Sequence, residues 1–212
     1  MFEFLRRQLA SLLGTPPPGR LAFHPSQTCP ECGSKLCREA GTNAPWLCPN
    51  LDCPAQIRRR LAHWCSPGAM DIPADDALIA GLVWSGLVRN VAELYRLKLH
   101  EIAALEFLDA NSGRAFFETI NASRSRDAWR VLHGLGVPHV DADAARSLVR
   151  HFSTLDQVFS SSAERLQEAE GVSEAAALGV VHWHSDPENR RLLRRLERAG
   201  VNFGFGRGLM NK

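Results

Sequence analysis

Four cysteines near the amino terminus constrain the fold of this chain more than any other feature of its sequence. They form two pairs, Cys29 and Cys32 in TCPECG and Cys48 and Cys53 in LCPNLDCPAQ, with the spacing C-x2-C-x15-C-x4-C. This spacing is typical of two short turns that face each other across a tetrahedral metal ion. Four thiolates leave no ligand position for water, so we predict one structural zinc ion bound by these four residues.

The zinc module is predicted to span residues 25–66, which have little apolar periodicity. A segment this small cannot bury a sufficient core, so its fold depends on the metal. Cys37 and Cys65 are left over by the pairing and are predicted to be free thiols. His24 and His63 lie close enough in sequence to compete as ligands, but the cysteine spacing favours the four thiolates.

Downstream of the cysteines, from Asp71 onward, the apolar residues repeat at helical spacing and almost no segment alternates like a strand. A unit of helix, tight turn and helix recurs at intervals of roughly 30 residues, beginning near Met70, Ile102, Val131 and Leu166. We therefore predict a mainly α fold class, in which the small zinc module is followed by one all-α domain of four helical hairpins at residues 67–203.

The two ends of the chain differ from this pattern. Apolar residues at helical spacing predict an amphipathic helix over residues 2–13, and TPPPGR then forms a linker, so that residues 1–24 precede the zinc module. The helix either docks on the rest of the chain or binds a partner protein. Residues 204–212, which contain GFGRG, are predicted to be a flexible tail.

Composition excludes several classes of protein. The hydrophobic fraction of 45% and the charged fraction of 23% are those of a soluble globular protein. A net charge of +2 is too small to indicate by itself that the chain binds nucleic acid. No segment approaches the roughly 18 apolar residues that span a bilayer, so no membrane association is expected. We predict a cytoplasmic location, where cysteines serve as metal ligands rather than disulfides.

Several segments carry a resemblance to a known family. CPECGSKL, LCPNLDCPAQ and LAHWCSPGAMDI resemble the four-cysteine zinc finger of bacterial NAD-dependent DNA ligases and its continuation into the next domain. GLVRNVAELYRL, LHGLGVPHVDADAARSLVRHFSTLDQVF, EGVSEAA and DPENRRLLRRLERAGV resemble successive parts of their helix-hairpin-helix domain. The resemblance covers about residues 25–203. It implies sequence-independent binding to the backbone of double-stranded or nicked DNA, in DNA repair or replication, with a nucleoid-associated location. The altered hairpin turns described below predict that this binding is weak.

The catalytic residue of the family is missing from the matching sequence. Its nucleophile is a lysine in a Lys-x-Asp-Gly motif, which attacks NAD and carries AMP. Here Lys35 is followed by Leu-Cys-Arg, Lys98 by Leu-His-Glu, and Lys212 is the last residue. Residues 1–24 are too few for a nucleotidyltransferase domain or an OB-fold, and no BRCT domain follows. We expect no NAD binding and no catalysis by this chain alone.

The resemblance also implies how each hairpin meets DNA. A Gly-apolar-Gly turn lets the backbone approach closely and directs N–H groups of the following helix at a phosphate. The first turn, Pro73–Asp76, and the second, Phe107–Asp109, replace the glycines and add carboxylates, so both are predicted to be disabled. The third keeps Gly136 but has an aspartate at the second glycine position. The fourth keeps Gly171 and is predicted to be the best surviving turn.

The predicted DNA contacts follow from these turns and from nearby basic residues. They are Gly136, His139, Arg146, Gly171, Ser173, Arg58 and Arg59. The arginines between Arg190 and Arg198 are further candidates, although they equally fit one side of a helix paired with Glu197 or other acids.

Three functions stay open at this point. The first is a non-catalytic, sequence-independent DNA-binding protein. The second is a protein-interaction adaptor that kept the scaffold and lost DNA binding, which the acidic turns favour. The third is the DNA-binding subunit of a split ligase, completed by a separate nucleotidyltransferase polypeptide.

Overall fold

The computed structural model describes residues 28–38, 46–50, 52–105 and 108–204. The chain divides into two compact units, Met1–Pro49 and Asn50–Lys212. The predicted amino-terminal helix and linker, and the tail beyond Gly204, lie outside the described residues and stay predictions. Within the described ranges, no helix has both the length and the apolarity needed to cross a membrane.

Short turns and isolated bridges make up the described part of the first unit. Thr28 pairs with Lys35, and Cys37 pairs with Leu47, in single antiparallel bridges. The N–H of Gly33 donates to the carbonyl of Cys29 at 2.8 Å, which closes the turn that contains Cys29 and Cys32. Gly33 adopts a φ of +71°, a conformation that costs glycine little because it has no Cβ.

The second unit is mainly helical within its described residues, which confirms the predicted mainly α class. The helices are α1 (Pro54–Cys65), α2 (Asp76–Trp84), α3 (Val91–Leu94), α4 (Leu99–Ala103), α5 (Ala110–Ser123), α6 (Ala128–Gly134), α7 (Ala142–Phe152), α8 (Leu155–Ser160), α9 (Ala163–Leu166), α10 (Glu174–Ser185) and α11 (Pro187–Arg198).

The helices pack most extensively as four consecutive pairs. We name them hairpin 1 (α1 and α2), hairpin 2 (α4 and α5), hairpin 3 (α6 and α7) and hairpin 4 (α9 and α10). Helix α1 belongs to the helical unit, although the predicted zinc module extends to residue 66. The reason is packing, because Leu61 and Trp64 of α1 are fully buried in the helical core.

A chain of hydrogen bonds fixes the centre of this core. The indole N–H of Trp64 donates to the Tyr95 hydroxyl at 3.2 Å, which lies 3.0 Å from the Ser123 hydroxyl. Ser123 in turn donates to the carbonyl of Ile120 at 2.7 Å. Burial raises the pKa of Tyr95 to about 12, so its hydroxyl keeps its proton. The chain therefore joins α1, the segment after α3, and α5 without leaving a buried polar group unpaired.

Some arginines serve the fold rather than a ligand. The Arg124 guanidinium donates to the backbone carbonyls of Tyr95 and Ala199 and lies 5.0 Å from the centre of the Tyr95 ring. Arg130 donates to the carbonyl of Ala69 at 2.7 Å. Because loop carbonyls need donors wherever water is excluded, these guanidinium groups hold the loops around the core in place.

Candidate zinc centre and hairpin turns

The structure brings the four predicted ligands together. One sulfur from each of Cys29, Cys32, Cys48 and Cys53 lies within 4.8 Å of every other, and the Cys32 and Cys48 sulfurs are 3.5 Å apart. A tetrahedral ion with Zn–S bonds of about 2.3 Å would place its sulfurs about 3.8 Å apart. Cys53 is fully buried and Cys29 nearly so, which suits a closed structural site. The residues present therefore fit zinc.

The surrounding backbone positions these sulfurs. Cys53 occupies the N-cap of α1, and Pro54 follows at the first helical position, where its missing N–H costs nothing. The positive end of the helix dipole therefore lies beside the Cys53 sulfur and favours its thiolate form. At the other side, the turn closed by Gly33 presents Cys29 and Cys32.

The leftover cysteines and His63 have other environments. Cys65 is buried, and burial raises the pKa of its thiol to about 12, so it is protonated and unreactive near neutral pH. Cys37 is exposed, and its thiol donates to the carbonyl of Leu47. His63 donates a ring N–H to the carbonyl of His133 at 2.8 Å. Within the described residues, neither the two cysteines nor His63 belongs to the metal-binding group.

The aspartates of hairpins 1 and 2 have a structural role that the sequence reading missed. The Asp75 carboxylate accepts the backbone N–H of Leu78 at 2.7 Å, at the start of α2. The Asp109 carboxylate accepts the N–H groups of Asn111 and Ser112, each at 3.0 Å, at the start of α5. Both are N-caps, so they already occupy N–H groups that a phosphate would need. An Asp directly before a helical segment is the signal that could have revealed this role.

Hairpin 3 combines a permissive turn with the same kind of cap. Gly136 has a φ of +67° and His139 a φ of +64°, and the His139 side chain is exposed. The Asp141 carboxylate accepts the N–H of Ala144 at 2.8 Å. The predicted contact Arg146 lies 4.0 Å from the centre of the Trp129 ring and pairs with Asp143 at 2.6 Å. Its guanidinium is therefore partly engaged within the hairpin.

Hairpin 4 has an uncharged cap. Gly171 adopts a φ of +76° and is exposed, and the Ser173 hydroxyl accepts the N–H of Ala176 at 3.2 Å. The N-cap of α10, a helix of twelve residues, therefore carries no carboxylate, and the first turn that follows it contains the carboxylate of Glu174. Of the four turns, this one best matches the geometry that lets a phosphate approach helix N–H groups.

Hairpins 3 and 4 are packed against each other. A Cβ at Gly179 of α10 would overlap the carbonyl of Pro138, so only glycine permits this approach. The Ser147 hydroxyl of α7 donates to the carbonyl of Glu170, directly before the turn of hairpin 4, and Arg150 pairs with the Glu170 carboxylate at 3.2 Å. Helix α7 therefore fixes the position of the hairpin 4 turn and partly neutralises its acidic neighbour.

The remaining predicted contacts lie on α1. Arg59 is exposed, whereas Arg58 is half-buried. The structure places neither within a hairpin turn, so both stay predictions.

Comparison with known proteins agrees with this architecture. Residues 28–55 match the NAD-dependent DNA ligase C4 zinc finger domain, and residues 130–193 match the helix-hairpin-helix motif. A DNA ligase of Gloeobacter violaceus is 39% identical over 90% of this chain and 28% of the relative. A DNA ligase of Rubrobacter xylanophilus is 40% identical over 88% of this chain and 27% of the relative, and one of Chloroflexus aggregans is 39% identical over 84% and 26%.

The chain resembles the zinc-finger and helix-hairpin-helix part of NAD-dependent DNA ligases. This confirms the resemblance found in the sequence, and the four-cysteine cluster together with the matched ligase zinc finger confirms one structural zinc ion. The chain spans about a quarter of the length of these DNA ligases. The matched helix-hairpin-helix motif, residues 130–193, contains most of hairpin 3, all of hairpin 4 and the first part of α11, and hairpins 3 and 4 are the two that keep a glycine at the turn.

We expect one zinc ion per chain in protein purified without chelator. Cys29→Ser removes a ligand and should lower the zinc content from about one equivalent to well below one, because a site with three thiolates binds zinc more weakly. Elemental analysis by mass spectrometry measures this content. Cys37→Ser, which removes an exposed thiol outside the metal group, is the matched control and should retain the zinc. Equal zinc content in the two variants would contradict the assignment.

Proposed function

We propose that this chain is a non-catalytic protein that binds duplex DNA through its sugar-phosphate backbone, in DNA repair or replication. The observation that carries the proposal is the turn of hairpin 4, where Gly171 keeps a left-handed conformation and an uncharged serine caps α10. The similarity to helix-hairpin-helix motifs and to DNA ligases supports the same ligand. Contacts of this kind position a protein on DNA without reading its sequence.

Few intact turns imply weak binding. If about three to five phosphates are neutralised, the logarithm of the binding constant should fall against the logarithm of salt concentration with a slope of about three to four. The affinity for a nicked or continuous duplex should be micromolar at about 50 mM salt, and it should not depend on sequence.

Gly171→Val tests the hairpin 4 turn. A β-branched residue disfavours the positive φ and obstructs the backbone approach, so the affinity for a nicked duplex should fall about tenfold or more. Fluorescence anisotropy at about 50 mM salt measures the change. Gly86→Val is the matched control, because Gly86 has a φ of +73° and, like Gly171, open space around a Cβ, but lies in the loop after α2. Ala74→Val, in the disabled turn of hairpin 1, should also have little effect. Equal losses in all three variants would contradict the assignment.

Replacement of the aspartate cap of hairpin 3 is expected to strengthen DNA binding, whereas Gly171→Val is expected to weaken it. Asp141→Ser keeps a side-chain cap for Ala144 and removes one negative charge beside the turn, so DNA affinity should rise roughly 3- to 10-fold while stability changes little. Glu118→Gln is the control for net charge, since Glu118 is exposed on α5 and away from a turn. A gain in both variants would indicate a general charge effect and not a local one.

We propose that this chain does not catalyse ligation, because of the residues that surround its lysines. None of Lys35, Lys98 and Lys212 stands in the Lys-x-Asp-Gly context of the ligase nucleophile. Incubation of this chain with labelled NAD and a nicked duplex should give neither an adenylated protein nor a sealed strand. A labelled protein band would overturn this part of the proposal.

A second candidate is a protein-interaction adaptor. Two observations favour it: the aspartate caps of hairpins 1 to 3, and Trp84 at the end of α2, whose side chain is 81% exposed. A large exposed aromatic side chain is typical of a binding surface. If the protein shows no association with DNA at about 50 mM salt, this candidate replaces the first.

A further inference from the structure

Helix α11 carries its basic and apolar residues on opposite sides. Leu193 and Leu196 are buried, and Leu192 packs partly against the same core. Four arginines point the other way and are all exposed. At 100° per residue their directions fall within an arc of about 100°, centred almost opposite the leucines. We call this surface the arginine face; its members are Arg191, Arg194, Arg195 and Arg198.

Few acidic side chains among the described residues compensate the charges of the arginine face. Arg194 and Arg195 are consecutive, and each lies three or four residues from Arg191 and from Arg198, so neighbouring guanidinium groups repel each other. Arg191 pairs with Glu188. Across the described residues, no acidic side chain forms an ion pair with Arg194, Arg195 or Arg198. These residues differ from Arg124 and Arg130, whose guanidinium groups are bound to backbone carbonyls.

We propose that the arginine face binds phosphates of a duplex nucleic-acid backbone, as a second contact surface besides hairpin 4. This inference rests on the DNA binding proposed above and extends it to a helix outside the four hairpins. From Arg191 to Arg198 the helix rises about 10 Å, which matches the axial span of about three phosphates of one strand. Each guanidinium group can bind a phosphate through two parallel hydrogen bonds.

The composition of the arginine face favours a polyphosphate over a protein partner. No apolar side chain lies among the four arginines, whereas protein interfaces have a buried apolar or aromatic centre. The face also presents only arginines, which neutralise phosphates without reading bases. Sequence-independent binding to the backbone is therefore the chemistry that it fits.

The test compares two double variants with the same loss of charge. Arg194→Gln with Arg198→Gln removes two members of the arginine face. Lys98→Gln with Arg114→Gln removes two exposed charges in hairpin 2, the hairpin whose turn is capped by Asp109. Fluorescence anisotropy with a labelled 20-base-pair duplex over a range of salt concentrations measures affinity and salt dependence, and thermal melting checks the fold of each variant.

The arginine-face variant should lower the salt slope by about two and weaken binding at 0.1 M salt by a factor on the order of 50, whereas the control should change little. If the parent protein binds and both double variants weaken equally, the arginine face is not a binding surface and the proposed function stands. If the parent itself does not bind in low salt, the proposed function fails. If polyglutamate of equal charge competes as well as the duplex, the assignment to phosphate is overturned.

Discussion

The first turn of every helix has backbone N–H groups with no acceptor inside the helix, and this requirement shapes the whole helical unit. Its helices range from four residues in α3 to fourteen in α5, so many first turns lie close together. Short polar side chains supply most of the acceptors, as Asn90, Thr154 and Ser162 do for α3, α8 and α9. Because such short helices have little stability of their own, these caps and the shared core together define where each helix begins.

The same N–H groups would bind phosphate in a helix-hairpin-helix turn, so stability and DNA binding compete for them. In hairpins 1 to 3 the N-caps are Asp75, Asp109 and Asp141, whose carboxylates accept these N–H groups and so stabilise the first turn of each helix. In hairpin 4 the cap is the uncharged Ser173, so the N-cap itself does not repel a phosphate, although Glu174 follows in the first turn. The repeated hairpins thus differ in role, because the caps of hairpins 1 to 3 stabilise the fold and only hairpin 4 keeps an uncharged cap at its turn.

The sequence predicted the features of this structure that depend on local patterns of residues. Cysteine spacing predicted the zinc site because the metal dictates where ligands can stand, and apolar periodicity predicted the helical class. It did not predict that Arg146 lies over Trp129, nor that Arg124 binds the carbonyl of Ala199, because contacts between distant parts of a chain leave no local pattern. It treated Asp141 only as the replacement for a turn glycine, since the cap depends on where α7 begins.

A net charge of +2 would ordinarily argue against binding a polyanion, yet the distribution of charges in the structure removes that objection. Carboxylates at hairpin turns are bound to N–H groups, and Glu170 pairs with Arg150 beside the one favourable turn. Some arginines, such as Arg130, donate to loop carbonyls. No local sequence signal distinguishes these arginines from those that are exposed. Three exposed arginines that form no ion pair within the described residues, Arg194, Arg195 and Arg198, lie together on one side of α11. Over a Debye length of about 10 Å, a ligand responds to that local surface and not to the total charge of the chain.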